Sequence, residues 1–155
     1  MKTEIGKFDK FVRGSFVESL YRRWENCEVV TEADLQVTAW ILLDDYFRRR
    51  QTGGAFRVFN QPTFRRLDIR PDLVVFKRRT LWALIELKIR KRFVPTLIQK
   101  DEEKLNRVRR RLKSVKCAYL VYLSRRGRAE SNRSPCFVPV VMEARLKRKK
   151  EFEGG

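Results

Sequence analysis

The sequence predicts an α/β fold in which two helices, three strands, a further helix and a fourth strand follow one another in a single domain, residues 1–155. Three observations support this prediction. Apolar residues recur at steps of three and four as far as residue 49, and they then fall into short runs rich in Val, Ile and Phe. Helical spacing returns from residue 97, and the total length suits one compact domain.

The first two predicted helices are amphipathic. Residues 5–25 are expected to form an N-terminal helix that packs through an aromatic stripe of Phe8, Phe11, Val12, Phe16, Leu20 and Trp24. Residues 31–49 are expected to form the second helix. Thr31 is a suitable N-cap, and Glu32 and Asp34 place negative charge in the first turn. A pair of glycines after three arginines ends this helix.

Three sequential strands are predicted at residues 55–60, 65–76 and 80–89. The last two should form a hairpin that turns near Arg78 and Arg79. Turn residues and prolines separate the three runs, so each strand is short.

The C-terminal part begins with a predicted helix, residues 97–115, that has one apolar and one cationic face. Residues 117–124 are apolar on both faces, as in a strand covered by helices on both sides. The predicted core therefore spans about residues 30–125. Residues 125–155 hold a basic loop, a last strand from residue 136 and a frayed tail, and Pro139 favours a sheet edge for that strand.

The charge of the chain is its strongest compositional signal. There are 37 Lys and Arg against 19 Asp and Glu, which gives a formal net charge of +18. The first 50 residues hold nine of each sign, so the whole excess lies after residue 50. A cationic surface favours a polyanion, and we expect nucleic acid. The alternatives are high solubility alone or an anionic membrane surface.

Composition also excludes several classes of protein. The chain has no His, which excludes Ser-His-Asp and Cys-His catalysis, His-ligated zinc and histidine general bases. The three cysteines lie far apart and predict reduced thiols. No apolar run approaches the roughly 20 residues that span a bilayer, and the first ten residues lack the plan of a signal peptide. We therefore expect no membrane partner and a cytoplasmic protein, in the host cytoplasm if the chain is viral.

Three ionised residues interrupt the apolar strands of the predicted hairpin. Counting back from the turn puts Asp72 opposite Glu86 within about one residue. Lys88 shares a strand face with Glu86 and with Trp82, because side chains alternate. Two buried carboxylates need a cation or strongly shifted pKa values. With the Leu87 backbone carbonyl they offer an oxygen ligand set that suits Mg²⁺ or Mn²⁺.

Chemically, such a site predicts hydrolysis of a phosphodiester. The hard cation activates a water, and Lys88 orients or deprotonates that water and stabilises charge on phosphorus. The cationic surroundings would hold the scissile strand in place.

Pro71-Asp72 followed by Glu86-Leu87-Lys88 resembles the motif of the PD-(D/E)XK superfamily of nucleases, over about residues 30–125. The resemblance implies a restriction-endonuclease-like core, with a central mixed β-sheet flanked by helices in the order α-β-β-β-α-β. The N-terminal helix would be an addition to that core. In size and charge the chain also resembles small nucleases of archaeal filamentous viruses.

The resemblance also implies further site residues. Many members take another acidic residue from an N-terminal helix, which assigns a catalytic role to Glu32, with Asp34 or Glu18 as alternatives. Complementing the helix dipole would equally explain Glu32. Some members place a polar residue on the helix after the motif, which Gln99 or Lys100 matches here. A solvated helix face is the alternative explanation for those two residues.

We therefore predict a metal-dependent DNA endonuclease of low sequence specificity, with Glu86, Lys88, Asp72 and Glu32 as catalytic residues. The alternative is a non-catalytic DNA- or RNA-binding protein on the same scaffold. Cutting both strands commonly needs two active sites, which makes a homodimer compatible with the prediction. Basic segments should line one groove for the phosphates of double-stranded DNA. Besides Gln99 and Lys100, its residues would be Arg48, Arg49, Arg50, Arg57, Arg78, Arg79, Arg90, Lys91, Arg92, Arg125, Arg126 and Arg128.

Overall fold

A computed structural model describes residues 3–26, 28–64, 70–90, 95–124 and 136–140. The predicted α/β class is confirmed, with one mixed sheet between helices. In chain order, the elements are α1 (Glu4–Phe11), a π-helical segment (Val12–Phe16), α2 (Val17–Glu25), α3 (Glu32–Arg49), β1 (Phe56–Asn60), β2 (Leu73–Lys77), β3 (Thr80–Arg90), α4 (Pro95–Arg111), β4 (Cys117–Ser124) and β5 (Cys136–Val140).

The five strands lie in the order β1-β2-β3-β4-β5. Strands β1, β2 and β3 pair antiparallel, β3 and β4 pair parallel, and β5 is antiparallel to β4. A parallel pair needs a crossover connection, and α4 lies in that connection. The predicted edge position of the last strand is confirmed, and its Pro139 pairs with Val121.

The core consists of two apolar clusters, one on each face of the sheet. The first contains residues of α1, the π segment, α2 and α3 together with strand residues such as Leu73 and Ile85. The second contains Leu105 and Val108 of α4 and even-numbered strand residues such as Leu84. Since both faces are covered, the central strands are apolar on both sides.

The N-terminal helix differs from the predicted continuous helix of residues 5–25. Five of the six stripe residues, Phe8, Val12, Phe16, Leu20 and Trp24, follow one another at steps of four, and all five are buried. Each step of four overshoots a turn of 3.6 residues by about 40°, so a regular helix would carry the stripe off one face. The π segment has a wider turn, with Gly14 outside helical angles (φ −104°, ψ −107°), and it takes up part of this drift.

The start of α3 is confirmed at the predicted N-cap. The Thr31 Oγ1 accepts a hydrogen bond from the Asp34 N–H at 3.1 Å, and the Asp34 carboxylate accepts one from the Thr31 N–H at 2.8 Å. This reciprocal capping box fixes the first turn, which carries Glu32. Along the helix, the Trp40 Nε1 donates to the Val58 carbonyl of β1 at 3.1 Å and ties α3 to the sheet.

The β2–β3 hairpin turns at Arg78 and Arg79, as predicted. A register shift beside Val75 makes Trp82 the extra residue of a bulge, because Val75 pairs with Ala83 while the next residue pairs with Leu81. The prediction that Trp82 shares a face with Glu86 is therefore wrong. Its indole lies in the first cluster, on the α3 side of the sheet.

Other boundaries differ modestly from the predicted ones. Of the predicted second strand, residues 70–72 are not in a strand and β2 begins at Leu73, while α4 spans Pro95–Arg111 instead of 97–115. Residues 65–69, the basic loop of residues 125–135 and the tail after residue 140 lie outside the described residues. Across the described part of the chain, no helix combines the length and the apolar character that crossing a bilayer demands.

We expect Trp82→Ala to lower the free energy of unfolding by about 3–5 kcal/mol, the usual range for removing a buried large aromatic side chain. The indole is 5% exposed and its ring centroid lies 5.1 Å from that of Phe8 and 5.0 Å from that of Phe56. Urea denaturation would measure the change. Phe59→Ala is the control, because Phe59 is 45% exposed and should lose less than about 1 kcal/mol. Equal losses would contradict the packing described.

Candidate functional site

The hairpin brings two carboxylates together where β2 begins. The last regular pair of its ladder is Leu73 with Ile85, so one further step places Asp72 opposite Glu86, as the sequence predicted. Asp72 is 7% exposed and Glu86 is 6% exposed. Two acidic side chains therefore lie side by side in a protein interior.

Two short hydrogen bonds hold the Asp72 carboxylate. Its Oδ2 accepts the Leu87 backbone N–H at 2.7 Å, and its Oδ1 accepts the Gln36 side-chain amide at 2.7 Å. Gln36 belongs to α3 and is itself buried, with 9% of its surface exposed. The first contact comes from the sheet and the second from the helix layer, so the carboxylate has one fixed orientation.

The hydrogen-bonded chain continues from Gln36 to the surface. The Gln36 Oε1 accepts the Gln61 side-chain amide at 2.6 Å, and the Gln61 Oε1 accepts the exposed Arg70 guanidinium at 2.8 Å. The Gln61 N–H also donates to the Asp72 carbonyl at 2.7 Å. Gln61 adopts a left-handed backbone (φ 46°), which costs a non-glycine residue energy and is concentrated at functional sites.

Lys88 lies beside Glu86 and forms an ion pair with it, at 3.0 Å between Nζ and Oε1. Because side chains alternate along β3, both residues share the face of Leu84, the α4 side of the sheet. The neighbour of Lys88 across the parallel ladder is Tyr122, whose hydroxyl donates to the Asp101 carboxylate of α4 at 2.5 Å. Asp101 is therefore the α4 residue tied to this part of the sheet.

Glu32 reaches the same region from the first turn of α3. Its Oε1 accepts the Ile89 N–H at 3.4 Å, and its charge acts on both Asp72 and Lys88. Of the two alternatives to Glu32, Asp34 is taken up by the capping box and Glu18 lies exposed on α2. Of the three acidic residues, the structure thus brings Glu32 to the site.

Two pKa values in the cluster are raised, which favours the neutral form of Asp72 and the charged form of Lys88. Burial raises the pKa of Asp72 most, the charge of Glu86 raises it further, and the resulting value is about 6. The Leu87 N–H and Lys88 act in the other direction and lower this pKa. Burial by itself would lower the pKa of Lys88, but Glu86, Asp72 and Glu32 together raise it. Lys88 therefore keeps its proton at neutral pH, which favours its predicted orienting role over deprotonation of a water.

The oxygen donors of this cluster are of the kind that hard cations prefer. One more step of the β2–β3 register puts Pro71 opposite Leu87, and proline has no N–H to donate to the Leu87 carbonyl. Among the described residues, no group of three or more His, Cys, Asp or Glu side chains is arranged to hold a metal ion. A cation here would therefore take Asp72, Glu86 and the Leu87 carbonyl, with water completing the set.

The predicted basic residues do not all lie near this cluster. Glu32 begins α3 beside Ile89, while Phe47 near its end stacks on Phe56 at 4.6 Å, at the hairpin-turn end of the sheet. A rise of 1.5 Å per residue separates the two ends of α3 by about 25 Å. The residues at the far end are Arg48, Arg49, Arg50, Arg57, Arg78 and Arg79. These six arginines therefore lie too far from the carboxylates to line with them the one continuous groove that the sequence predicted.

The remaining predicted contacts divide into two groups. Gln99 and Lys100 are exposed on α4, and the Gln99 amide donates to Glu103 of the same helix at 3.3 Å. Arg90 is the last residue of β3, two residues after Lys88. The other basic residues of the predicted groove lie outside the described residues: Lys91, Arg92, Arg125, Arg126 and Arg128.

Sequence reasoning missed Gln36, Gln61, Arg70 and Asp101. A usable signal existed for Gln36, because this amide lies on the buried face of α3 with Leu35, Ala39, Leu43 and Phe47. A polar residue in a buried apolar stripe needs a hydrogen-bond partner. The other three have no comparable signal, since their contacts join segments far apart in the chain.

Comparison with known proteins gives no relative for this site: no protein-family model, no curated protein and no solved structure matches the chain. The functional argument therefore depends on the geometry of the chain itself.

Removing Asp72 as a titrating group should change how stability depends on pH. The pKa of the Asp72 carboxyl is higher in the folded protein than in the unfolded chain. The neutral carboxyl therefore contributes its full share to the free energy of unfolding below about pH 4, and this share is lost as the pH rises through about 6. We expect the metal-free protein to lose roughly 3 kcal/mol over this range relative to Asp72→Asn. Urea denaturation with a chelator at several pH values measures the difference.

Asp45→Asn is the control for this measurement. Asp45 is an aspartate that pairs with Arg49, but unlike Asp72 its side chain is half exposed. The wild type and Asp45→Asn should show the same fall in stability with pH. Parallel curves for the wild type and Asp72→Asn would contradict a raised pKa at Asp72.

Proposed function

We propose that this chain is a metal-dependent endonuclease that hydrolyses phosphodiesters of double-stranded DNA with low sequence specificity. One observation carries the proposal: among the described residues, three carboxylates, from Asp72, Glu86 and Glu32, share one ammonium, Lys88, at the start of the β2–β3 hairpin. With all four groups ionised, the cluster has two uncompensated negative charges. A divalent cation would balance that charge.

The choice of cation follows from the donor types. Carboxylate and carbonyl oxygens are hard ligands that suit Mg²⁺ or Mn²⁺, and the chain has no His to build a zinc site of the usual kind. Asp72 and Glu86 would hold the ion together with the Leu87 carbonyl. A bound ion of this kind supplies a water of lowered pKa and neutralises charge that develops on phosphorus.

The residues of the chain prepare the site for this chemistry. Gln36 and the Leu87 N–H fix the orientation of the Asp72 carboxylate, so it needs little rearrangement on binding a ligand. Lys88 keeps a positive charge next to Glu86, where it can stabilise negative charge on the scissile phosphate. Glu32 accepts the Ile89 N–H and adds negative charge that acts on Lys88.

The substrate class rests on the overall charge. A formal net charge of +18 supports a polyanionic substrate over a small neutral one and speeds encounter with it. Contacts to phosphates carry little base information, which supports weak sequence preference. Cutting both strands would need two such sites, and a homodimer would provide them.

A second candidate function is a non-catalytic nucleic-acid-binding protein. The observation in its favour is that Glu86 and Lys88 already neutralise each other at 3.0 Å, and both Asp72 oxygens already accept hydrogen bonds. Such contacts also occur in structural ion pairs, and buried pairs of this kind contribute to specificity of packing without any catalysis. Cleavage assays separate the two functions.

We expect Mg²⁺-dependent cleavage of duplex DNA that Glu86→Gln reduces at least a hundredfold, because the substitution removes one anionic ligand and the partner of Lys88. Plasmid nicking and linearisation, followed on gels over time, measure the rate. Chelator should abolish cleavage in the wild type.

Glu103→Gln is the matched control. Glu103 is an exposed glutamate on α4, where it accepts a hydrogen bond from Gln99 of the same helix. The variant should cleave at the wild-type rate. Intact DNA with both Mg²⁺ and Mn²⁺, together with salt-sensitive binding, would support the non-catalytic alternative instead.

We expect substitutions of Glu32 and Asp34 to have different effects, on cleavage for Glu32 and on stability for Asp34. Glu32→Gln should reduce cleavage about tenfold or more with little change in melting temperature, because its carboxylate contributes charge to the cluster. Asp34→Asn should lower the melting temperature and leave the cleavage rate of the folded protein unchanged, because it weakens the capping box. Thermal melts and cleavage rates of both variants test this pair, and the reverse pattern would assign the acidic role to Asp34.

A further inference from the structure

Two adjoining clefts lie at the end of the molecule away from the carboxylates. The first, about 300 Å³, lies between α1, the end of α3 and the start of β1. The second, about 680 Å³, lies between α1, the π segment and α3. Lys7, Tyr46 and Arg50 line both clefts, so the two form one continuous depression, here called the double cleft.

The double cleft has an excess of positive charge. Its acidic residues are Glu4, which pairs with Lys77, and Asp45, which pairs with Arg49. Within the described residues, Lys7 and Lys10 form no ion pair, and both are exposed. The Arg50 guanidinium donates to the Tyr46 hydroxyl at 3.0 Å instead of to an acid. Lys7, Lys10 and Arg50 therefore have no acidic partner among the residues that the structure describes, and all three line one concave surface.

The rings in the double cleft are already engaged. Tyr46 stacks on Phe11 at 4.0 Å between centroids and has the Arg50 guanidinium 5.0 Å from its centroid. Phe56 stacks on Phe47, and the Lys77 ammonium lies 5.6 Å from its centroid. Because these contacts occupy the ring faces, the cations of the double cleft are more accessible to a ligand than the rings are. Stacking of unpaired bases is thus disfavoured relative to binding of phosphates.

Hydroxyl donors complete the lining. Ser15 and Ser19 lie in the second cleft, on either side of the junction between the π segment and α2. Gly14 is in the same wall, and a Cβ added there would meet no atom within 4 Å, so the wall is open at this point. Wide turns of this type occur frequently at functional sites. Cations and hydroxyls together are the usual donors to phosphate oxygens.

We propose that the double cleft binds the phosphodiester backbone of duplex DNA at a second place, remote from the carboxylates. This inference rests on the proposed function for the identity of the substrate. Because α3 separates the two places by about 25 Å and base pairs stack about 3.4 Å apart, a duplex in contact with both spans about seven base pairs between them. The double cleft thus anchors DNA and leaves the chemistry to the hairpin.

The test compares two double variants with equal loss of charge. Lys7→Gln/Arg50→Gln removes cations of the double cleft. Arg22→Gln/Arg23→Gln removes two arginines of α2 that lie outside it, of which Arg23 pairs with Glu28. All four positions are solvent-exposed, so melting temperatures should stay near the wild-type value.

Binding is measured without divalent cations, by fluorescence anisotropy with a labelled duplex of about 24 base pairs at several salt concentrations. The cleft variant should bind about tenfold more weakly near 0.1 M salt, with a salt slope shallower by about two, one for each lost phosphate contact. The control variant should stay within about twofold of wild type. Equal losses in the two variants would show a general effect of net charge and overturn the inference.

Cleavage adds a second measurement. For a duplex that extends more than about ten base pairs on each side of the cut, the cleft variant should raise KM and leave kcat unchanged, because an anchor contributes equally to ground state and transition state. For a duplex with fewer than about six base pairs on each side, the variant should match wild type. A fall in kcat on both duplexes would overturn the anchoring role.

The outcomes for the two proposals are distinct. Selective loss of binding in the cleft variant, with no cleavage by the wild type, would support the double cleft and reject the nuclease. Normal cleavage with unchanged binding would support the nuclease and reject the double cleft. Vesicles rich in phosphatidylserine form a further arm, and a larger effect of the cleft variant on vesicles than on DNA would overturn a DNA site in favour of a membrane surface.

Discussion

The hydrogen bond from the Leu87 N–H to the Asp72 carboxylate, 2.7 Å long, is the contact on which the candidate site depends. Every buried backbone N–H of a central strand needs an acceptor. Regular pairing between β2 and β3 ends at Leu73, so beyond that residue a side chain takes over from the backbone. The carboxylate is thereby held beside Glu86, and its second oxygen needs a donor that α3 supplies through Gln36. Packing of the helix layer and formation of the site are therefore coupled.

Electrostatics then decide what this arrangement can do. Burial and mutual repulsion raise the pKa of Asp72 to about 6, while the neighbouring carboxylates keep Lys88 protonated. A cluster of three acids and one amine favours an added cation, and the surrounding oxygen donors favour a hard one. The excess negative charge of this cluster contrasts with the formal net charge of +18 of the chain as a whole. Such local reversal of sign is what an ion between protein carboxylates and a phosphate requires.

Helix α3 extends from the carboxylates to the hairpin-turn end of the sheet. Its first turn reaches the carboxylates through Glu32, its middle is tied to β1 through Trp40, and its last turn packs on Phe56 at the hairpin turn. The arginines that follow lie about 25 Å from the first turn. Two of them, Arg48 and Arg49, are paired with acids one helical turn earlier, whereas Arg50 rests on Tyr46 in the double cleft. Neighbours in the sequence thus differ in what they can offer a ligand.

The sequence by itself determined the α/β class, the order of elements, the Thr31 cap, the hairpin turn and the placement of Asp72 opposite Glu86. These features follow from local propensity and from alternation along a strand, which short windows of sequence contain. Only the tertiary structure decided the π turn, the bulge that moves Trp82 to the other face, the chain from Arg70 through Gln61 and Gln36 to Asp72, and the separation of the arginines from the carboxylates. The physical reason is that each of these depends on how elements distant in the chain pack, and side-chain contacts between them have no periodic trace in the sequence.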